Sequence, residues 1–324
     1  MNLFVTPLSR VFLLIGLMLI NLVIFSMLGG IIAVQITGIS LAELQSGLTD
    51  LNSLSTPMIN TLKITQSIIS IGAFGVTAIS FSRLSGFKAA EFLGLERKPN
   101  LIFLALALVL AFSFLPVVSA LIQISQNLFE ALNLTWAREL DKSSAETLKL
   151  FLKDMNFNGL LINILVMAII PAITEEVLFR GAFLNAFYTL TGRAHWGVIL
   201  SALAFALIHQ QATNFFPIFV SGVLLGYIAL WTKSLYAGIF LHFMNNALSV
   251  IGEYLIQQNP ENTFITETTF PWFITLAGFA ITGLIVWYYQ KNQIIIEETE
   301  FVEVLKNDDI NPENTENTED ERNA

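Results

Sequence analysis

Long apolar segments recur along most of the chain, and they constrain its fold more than any other feature. A helix that crosses a bilayer needs about 20 mainly apolar residues, and eight segments approach or reach that length. Only 13% of the 324 residues are charged, whereas a soluble domain carries about 25%. The sequence therefore predicts an all-α, polytopic membrane protein with about eight transmembrane helices. They are expected over residues 11–34, 64–81, 101–122, 160–188, 196–210, 216–231, 235–256 and 270–289.

Amphipathic helices are expected outside these spans. Leu148, Phe151, Leu152 and Met155 recur at helical spacing among charged residues, which is typical of a helix at the membrane interface. The leucines at positions 41, 44, 48 and 51 suggest a second, shorter one. Packing on the outside of the bundle and a role in substrate gating both fit this pattern.

Basic residues fall in every second loop. The loops at residues 38–62 and 257–269 contain none, while four lie between Arg83 and Lys98. Because basic residues stay on the cytoplasmic side of a membrane, eight spans would leave both termini in the cytoplasm. The segment from Ser125 to Gly159, with four bases and five acids, fits this alternation less well.

The fourth apolar segment contains three charged residues, which are costly within a bilayer and usually functional. Glu176 and Arg180 are four positions apart with the acid first, the favourable order for a helical ion pair. Glu175 lies about 100° round the helix and has no such local partner. We therefore interpret Glu176 and Arg180 as a buried pair, and Glu175 as a functional carboxylate, either protonated or facing a polar cavity.

Two of the three histidines also fall within apolar helices. His209 shares a helix face with Phe205, and His242 shares one with Asn246, each four positions apart. A single intramembrane histidine is often an interhelical hydrogen-bonding residue. Two of them beside Glu175 instead suggest general-base activation of a water by Glu175 and His209. His242 and Asn246 would then stabilise the oxyanion of a hydrolysed amide.

Other classes of function remain open. Glu175, His209 and His242 are standard zinc ligands, although the chain lacks the H-E-x-x-H motif and has no cysteine. A secondary transporter could use Glu175 to carry protons, but paired halves with matching polar helices are not evident. A non-catalytic membrane scaffold or immunity protein could retain the same residues.

Three motifs in this order resemble a known family. Glu175-Glu176-x-x-x-Arg180, Phe205-x-x-x-His209 and His242-x-x-x-Asn246 resemble those of the CAAX-protease and bacteriocin-processing family of intramembrane glutamic endopeptidases. The resemblance implies an eight-helix bundle with the site inside it. Glu175 and His209 would activate water, His242 and Asn246 would bind the oxyanion, and Glu176, Arg180 and Phe205 would support the site. No cofactor is implied, with zinc as the alternative.

The resemblance also completes the expected organisation of the chain. Residues 1–158 would hold three transmembrane helices and an amphipathic connection, 159–290 the catalytic core, and 291–324 an acidic, disordered cytoplasmic tail. The expected partners are the lipid bilayer and a peptide or protein substrate, which in this family can carry a lipid. The tail accounts for eight of the nine net negative charges, and nucleic acid is not an expected partner. The bacterial inner membrane is the expected location.

Overall fold

The computed structural model describes residues 6–40, 42–43, 54–98, 100–153, 156–261 and 269–294. Throughout these ranges the regular elements are helices, so the all-α prediction is confirmed. Met155, the leucines at 41, 44, 48 and 51, and the acidic tail beyond Ile294 lie outside the described residues. The main helices are α1 (Pro7–Thr37), α2 (Thr56–Leu84), α3 (Leu101–Ala131), α4 (Thr135–Phe151), α5 (Phe157–Thr191), α6 (Ala194–Ile208), α7 (Phe215–Thr232), α8 (Tyr236–Gln258) and α9 (Trp272–Lys291).

Seven of these helices, all except α4 and α6, are long and apolar enough to cross a membrane, which makes the chain an integral membrane protein. The fifth predicted span corresponds to α6, which has only 15 residues. At 1.5 Å per residue it is about 22 Å long, against a hydrocarbon core of about 30 Å. Seven of the eight predicted segments are therefore long enough to cross a membrane, and the fifth is a shorter apolar helix.

Basic residues of the loops that follow α2 and α7 lie at one end of the bundle, here called the basic end. Arg10 at the start of α1 lies 6.0 Å from the Phe87 ring, and the backbone of residues 94–97 hydrogen-bonds residues 234–235. Ile294, beyond α9, donates its backbone N–H to the Trp231 carbonyl at 2.8 Å. Burial, together with the charge of Arg97, lowers the pKa of Lys233. The first and last described residues therefore share this basic end.

The amphipathic helix α4 lies at the opposite end. Its final residues, Leu150 and Phe151, are buried against the start of α2, whereas Leu148 is exposed. The predicted amphipathic character is confirmed, and the helix ends at Phe151.

Two glycines of α7 allow it to approach α6 closely. A Cβ added to Gly222 would lie 3.1 Å from the Ala202 Cβ, and one added to Gly226 would lie 2.9 Å from a Val198 methyl. Small residues at this spacing are typical of close membrane-helix packing. The pair thus holds α6, which ends in the FxxxH motif, against α7.

Candidate active site

The two acidic residues of the first motif lie between two π-helical turns of α5. These turns cover Leu165–Ile169 and Val177–Phe183, and Glu175 and Glu176 end the α-helical segment between them. π-Helical turns are rare and occur frequently at functional sites. Relative to a continuous α-helix, each inserted residue rotates the following side chains by about 100°. The interruptions therefore set which way the charged side chains face.

Glu176 and Arg180 form the predicted buried ion pair. Arg180 donates Nη1–H to Glu176 Oε1 at 2.6 Å, and the two side chains are 1% and 0% exposed. The guanidinium also donates Nη2–H to the Gly222 carbonyl at 3.1 Å and lies 4.4 Å from the centre of the Phe205 ring. Arg180 therefore connects α5 to both α6 and α7.

His242 lies between the two carboxylates. Its Nδ1 is 2.9 Å from Glu176 Oε1, and its Nε2 is 3.8 Å from Glu175 Oε2. An ionised carboxylate can only accept hydrogen bonds, so Nδ1 carries a proton in this arrangement and Nε2 is directed towards Glu175. Glu175, with a side chain 15% exposed, is thus not isolated from partners. The sequence pattern did not predict this contact with α8.

His209 is fixed by the end of its own helix. Its Nδ1 is 2.7 Å from the Phe205 carbonyl oxygen, which can only accept, so the proton is on Nδ1. In the neutral ring Nε2 is then an unprotonated base. The Phe205 ring contacts both imidazoles, with centroids 4.6 Å from His209 and 5.9 Å from His242. One aromatic ring, that of Phe205, is therefore in contact with both histidines.

Asn246 lies one turn beyond His242 on α8. It is half-buried, and its side chain makes no hydrogen bond within the described part of the chain. The neighbouring Asn245 has a buried Oδ1 without a partner there. The structure thus places Asn246 on the helix that carries His242, and its proposed role as an oxyanion donor stays a prediction.

The alternative zinc site, with Glu175, His209 and His242 as ligands, stays a prediction. Among the described residues, no group of three or more histidines and carboxylates is arranged to hold a metal ion. Nδ1 of His242 faces Glu176 Oε1 and Nδ1 of His209 faces a backbone carbonyl, contacts that metal-bound histidines also make. We derive no catalytic step through a metal.

The segment that carries these residues is similar to a known enzyme family. Residues 157–248 match the family model of the type II CAAX prenyl endopeptidases described as Rce1-like. The match begins at the first residue of α5, ends within α8, and includes all three motifs. The predicted family is therefore confirmed for this segment. Neither the curated proteins nor the solved structures gave a significant match.

Two of the contacts that reach the Rce1-like segment from helices outside it involve residues close in sequence to Glu175 or His209. The hydroxyl groups of Ser70, in a π-helical turn of α2, and Thr174, next to Glu175, are 2.7 Å apart. Asp141 of α4 accepts hydrogen bonds from the Ala212 and Thr213 backbone N–H groups at 2.6 and 2.9 Å, and another from the Thr213 hydroxyl. Sequence analysis missed both contacts, because 104 and 71 positions separate the partners.

Proposed function

We propose that this protein is an intramembrane endopeptidase that hydrolyses a peptide bond with a water activated by Glu175 and His209. The observation that carries the proposal is the position of His242 between Glu175 and Glu176, inside helices apolar enough to span a membrane. Buried charges are costly there. A packing role is sufficient to explain the Glu176–Arg180 pair. Packing alone does not explain the second carboxylate, Glu175, or the two histidines that contact the Phe205 ring.

In the proposed reaction, Glu175 and Nε2 of His209 accept one proton of the water as its oxygen attacks the peptide carbonyl carbon. Nε2–H of protonated His242 and the Asn246 amide donate to the resulting oxyanion. Collapse of the tetrahedral species breaks the C–N bond, and the proton passes to the leaving amine. The reaction requires no metal.

Glu176 and Arg180 have a supporting part in this proposal. Glu176 holds Nδ1 of His242 and so directs Nε2 towards Glu175, while Arg180 holds Glu176. The substrate class implied by the family is a membrane-associated peptide tail, with or without a lipid. Family membership of residues 157–248 supports this choice of reaction.

The test is peptide cleavage by the purified protein in lipid vesicles, with a reporter peptide library and a prenylated tail peptide as substrates. We expect Glu175→Gln and His209→Gln each to lower kcat by roughly 10²–10⁴-fold, the usual contribution of general-base catalysis. Glu96→Gln, which alters an exposed carboxylate in the 94–97 segment, is the control and should retain full activity.

A strong chelator distinguishes the mechanisms. Activity that survives chelation and is lost in both variants supports the glutamate mechanism. Activity that is lost on chelation and restored by zinc would instead show that the protein is a metalloprotease. Folded wild-type protein that cleaves no more than the two variants would favour a non-catalytic scaffold.

A further inference from the structure

Helix α4 and its C-cap residue contact α5, α8 and the loop that follows α6. Near the end of α4, the Phe151 carbonyl accepts a hydrogen bond from the Asn163 side chain of α5 at 3.0 Å. The next carbonyl, that of the C-cap residue Leu152, accepts one from the Gln257 side chain of α8 at 2.6 Å. In the middle of α4, Asp141 binds the turn that follows His209. One amphipathic helix thus lies against α5, α8 and the loop after α6, at the end of the bundle opposite the basic end.

The Asp141 contact is the closest of the three to a candidate catalytic residue. His209 is the C-cap residue that follows Ile208 at the end of α6, and the chain then turns through Gln210, whose φ of +51° is left-handed. Such a turn leaves backbone N–H groups without helical partners. The two oxygens of Asp141 accept from consecutive N–H groups of this turn and from the Thr213 hydroxyl. Hydrogen bonds to an ionised acceptor are about twice as strong as neutral ones.

We propose that Asp141 is a positioning residue for His209. The carboxylate holds the turn at residues 212–213, and the turn sets where the His209 imidazole lies relative to the Phe205 ring and the substrate. Asp141 contacts neither His209 nor Glu175 directly and acts through the backbone. The inference rests on the proposed hydrolytic function for its kinetic consequence, but the structural coupling between α4 and His209 can be measured without activity.

The kinetic test compares Asp141→Asn with Glu139→Gln, which removes an exposed carboxylate two residues away on the same helix. We expect Asp141→Asn to lower kcat at least tenfold with KM changed less than threefold, because a misplaced base impairs the chemical step and not substrate binding. Asp141→Glu should recover part of the lost kcat, since it restores the negative charge but places the carboxylate differently on a side chain that is one methylene longer. Glu139→Gln should behave as wild type.

A second readout is independent of catalysis. Carbethoxylation by diethyl pyrocarbonate, followed by peptide mass spectrometry, reports the reactivity of each histidine. We expect Asp141→Asn to change the rate at His209 at least threefold, and to leave the rates at His195 and His242 unaltered. Thr213→Val, which removes only the hydroxyl donor, should produce a smaller change in the same direction.

The outcomes separate this inference from the proposed function. A wild-type enzyme that cleaves peptide, with Asp141→Asn as active as Glu139→Gln, would overturn the inference and leave the proposed function intact. A protein that cleaves nothing, but shows the selective change at His209, would support the coupling and count against hydrolysis. Equal changes at all three histidines would indicate general unfolding and reject a specific role for Asp141.

Discussion

At the residue scale, the least expected atom of the site is Glu176 Oε2. The side chain is fully buried, and Oε1 already receives Arg180 and His242, but Oε2 has no hydrogen-bond partner in the described structure. A buried polar atom without a partner is costly. Gly238 lies beside it, and a Cβ added there would be 3.3 Å from Oε2. The missing side chain of Gly238 therefore leaves room next to the carboxylate.

Replacing Gly238 with alanine tests the importance of this space. Alanine in a helix normally gains about 0.5–1 kcal/mol over glycine. At Gly238 we expect no such gain, because Glu176 is held by Arg180 and His242 and cannot move aside, and we expect peptide hydrolysis to fall at least fivefold. Gly252→Ala, on the same helix with open space around it, is the control. Thermal unfolding and kcat measured on both variants provide the comparison, and a Gly238→Ala enzyme as active as Gly252→Ala would contradict it.

At the element scale, the helix ends and interruptions decide how the motifs are presented. The sequence spacing of Glu176 and Arg180 predicted their pairing, because four residues span about one helical turn in any context. Spacing likewise placed Phe205 and His209 on one face. It could not predict both π-helical turns around Glu175. Pro171 is a local signal for the first interruption, but none marks the second. Nor could it predict the end of α6 at Ile208, which depends on the αL residue Gln210.

Contacts between helices were also beyond local patterns. The motifs indicated that Glu175, His209 and His242 belong to one site, but not that His242 would lie between Glu175 and Glu176. That arrangement depends on the packing of α8 against α5, and the α4 carboxylate beneath His209 depends on packing across 71 positions. A few neighbouring residues determine the periodicity of one helix, whereas the distances between side chains on different helices depend on how all the helices pack together.

Gln210 offers a test of the turn that ends α6. A left-handed backbone is strained for a β-branched residue and relaxed for glycine. Because Gln210 is exposed, the effect of a substitution should come from the backbone alone. We expect Gln210→Val to lower the free energy of unfolding by about 1–2 kcal/mol and Gln210→Gly to raise it by up to about 1 kcal/mol. Gln210→Asn should be nearly neutral. If thermal unfolding in detergent shows the valine variant to be as stable as the asparagine variant, the result would argue against a left-handed turn at this position.

At the scale of the whole molecule, the structure has a basic end and an opposite end covered by α4. The contacts of Arg10 with Phe87 and of Ile294 with Trp231 place the starts and ends of the described chain together. The two ends of the described chain can lie on one side of a membrane only if the chain crosses it an even number of times. Seven long helices give an odd number, so the short helix α6 must provide the eighth crossing. The basic residues at this end predict that it faces the cytoplasm.

Labelling of single cysteines can test this topology, because the natural chain has none. We expect Glu96→Cys and Asn292→Cys to react with a membrane-impermeant thiol reagent only after the cytoplasmic side is opened. Asn259→Cys, just beyond the last residue of α8, should react in intact cells. All three positions are exposed. Labelling of Asn292→Cys and Asn259→Cys from the same side would refute the arrangement.

The shortness of α6 has a consequence for the lipid that surrounds the protein. The helix is about 22 Å long, so if it begins at one boundary of a hydrocarbon layer about 30 Å thick, we expect His209 to lie roughly 8 Å short of the other. Hydrophobic mismatch of this kind is relieved by local thinning of the bilayer, at a cost of fractions of a kcal/mol per Å. A membrane of longer acyl chains would place the imidazole deeper and lengthen the path that water must take to it. For the proposed hydrolysis, we therefore expect turnover to fall as the acyl chains lengthen, an effect of the lipid solvent and not of any ligand.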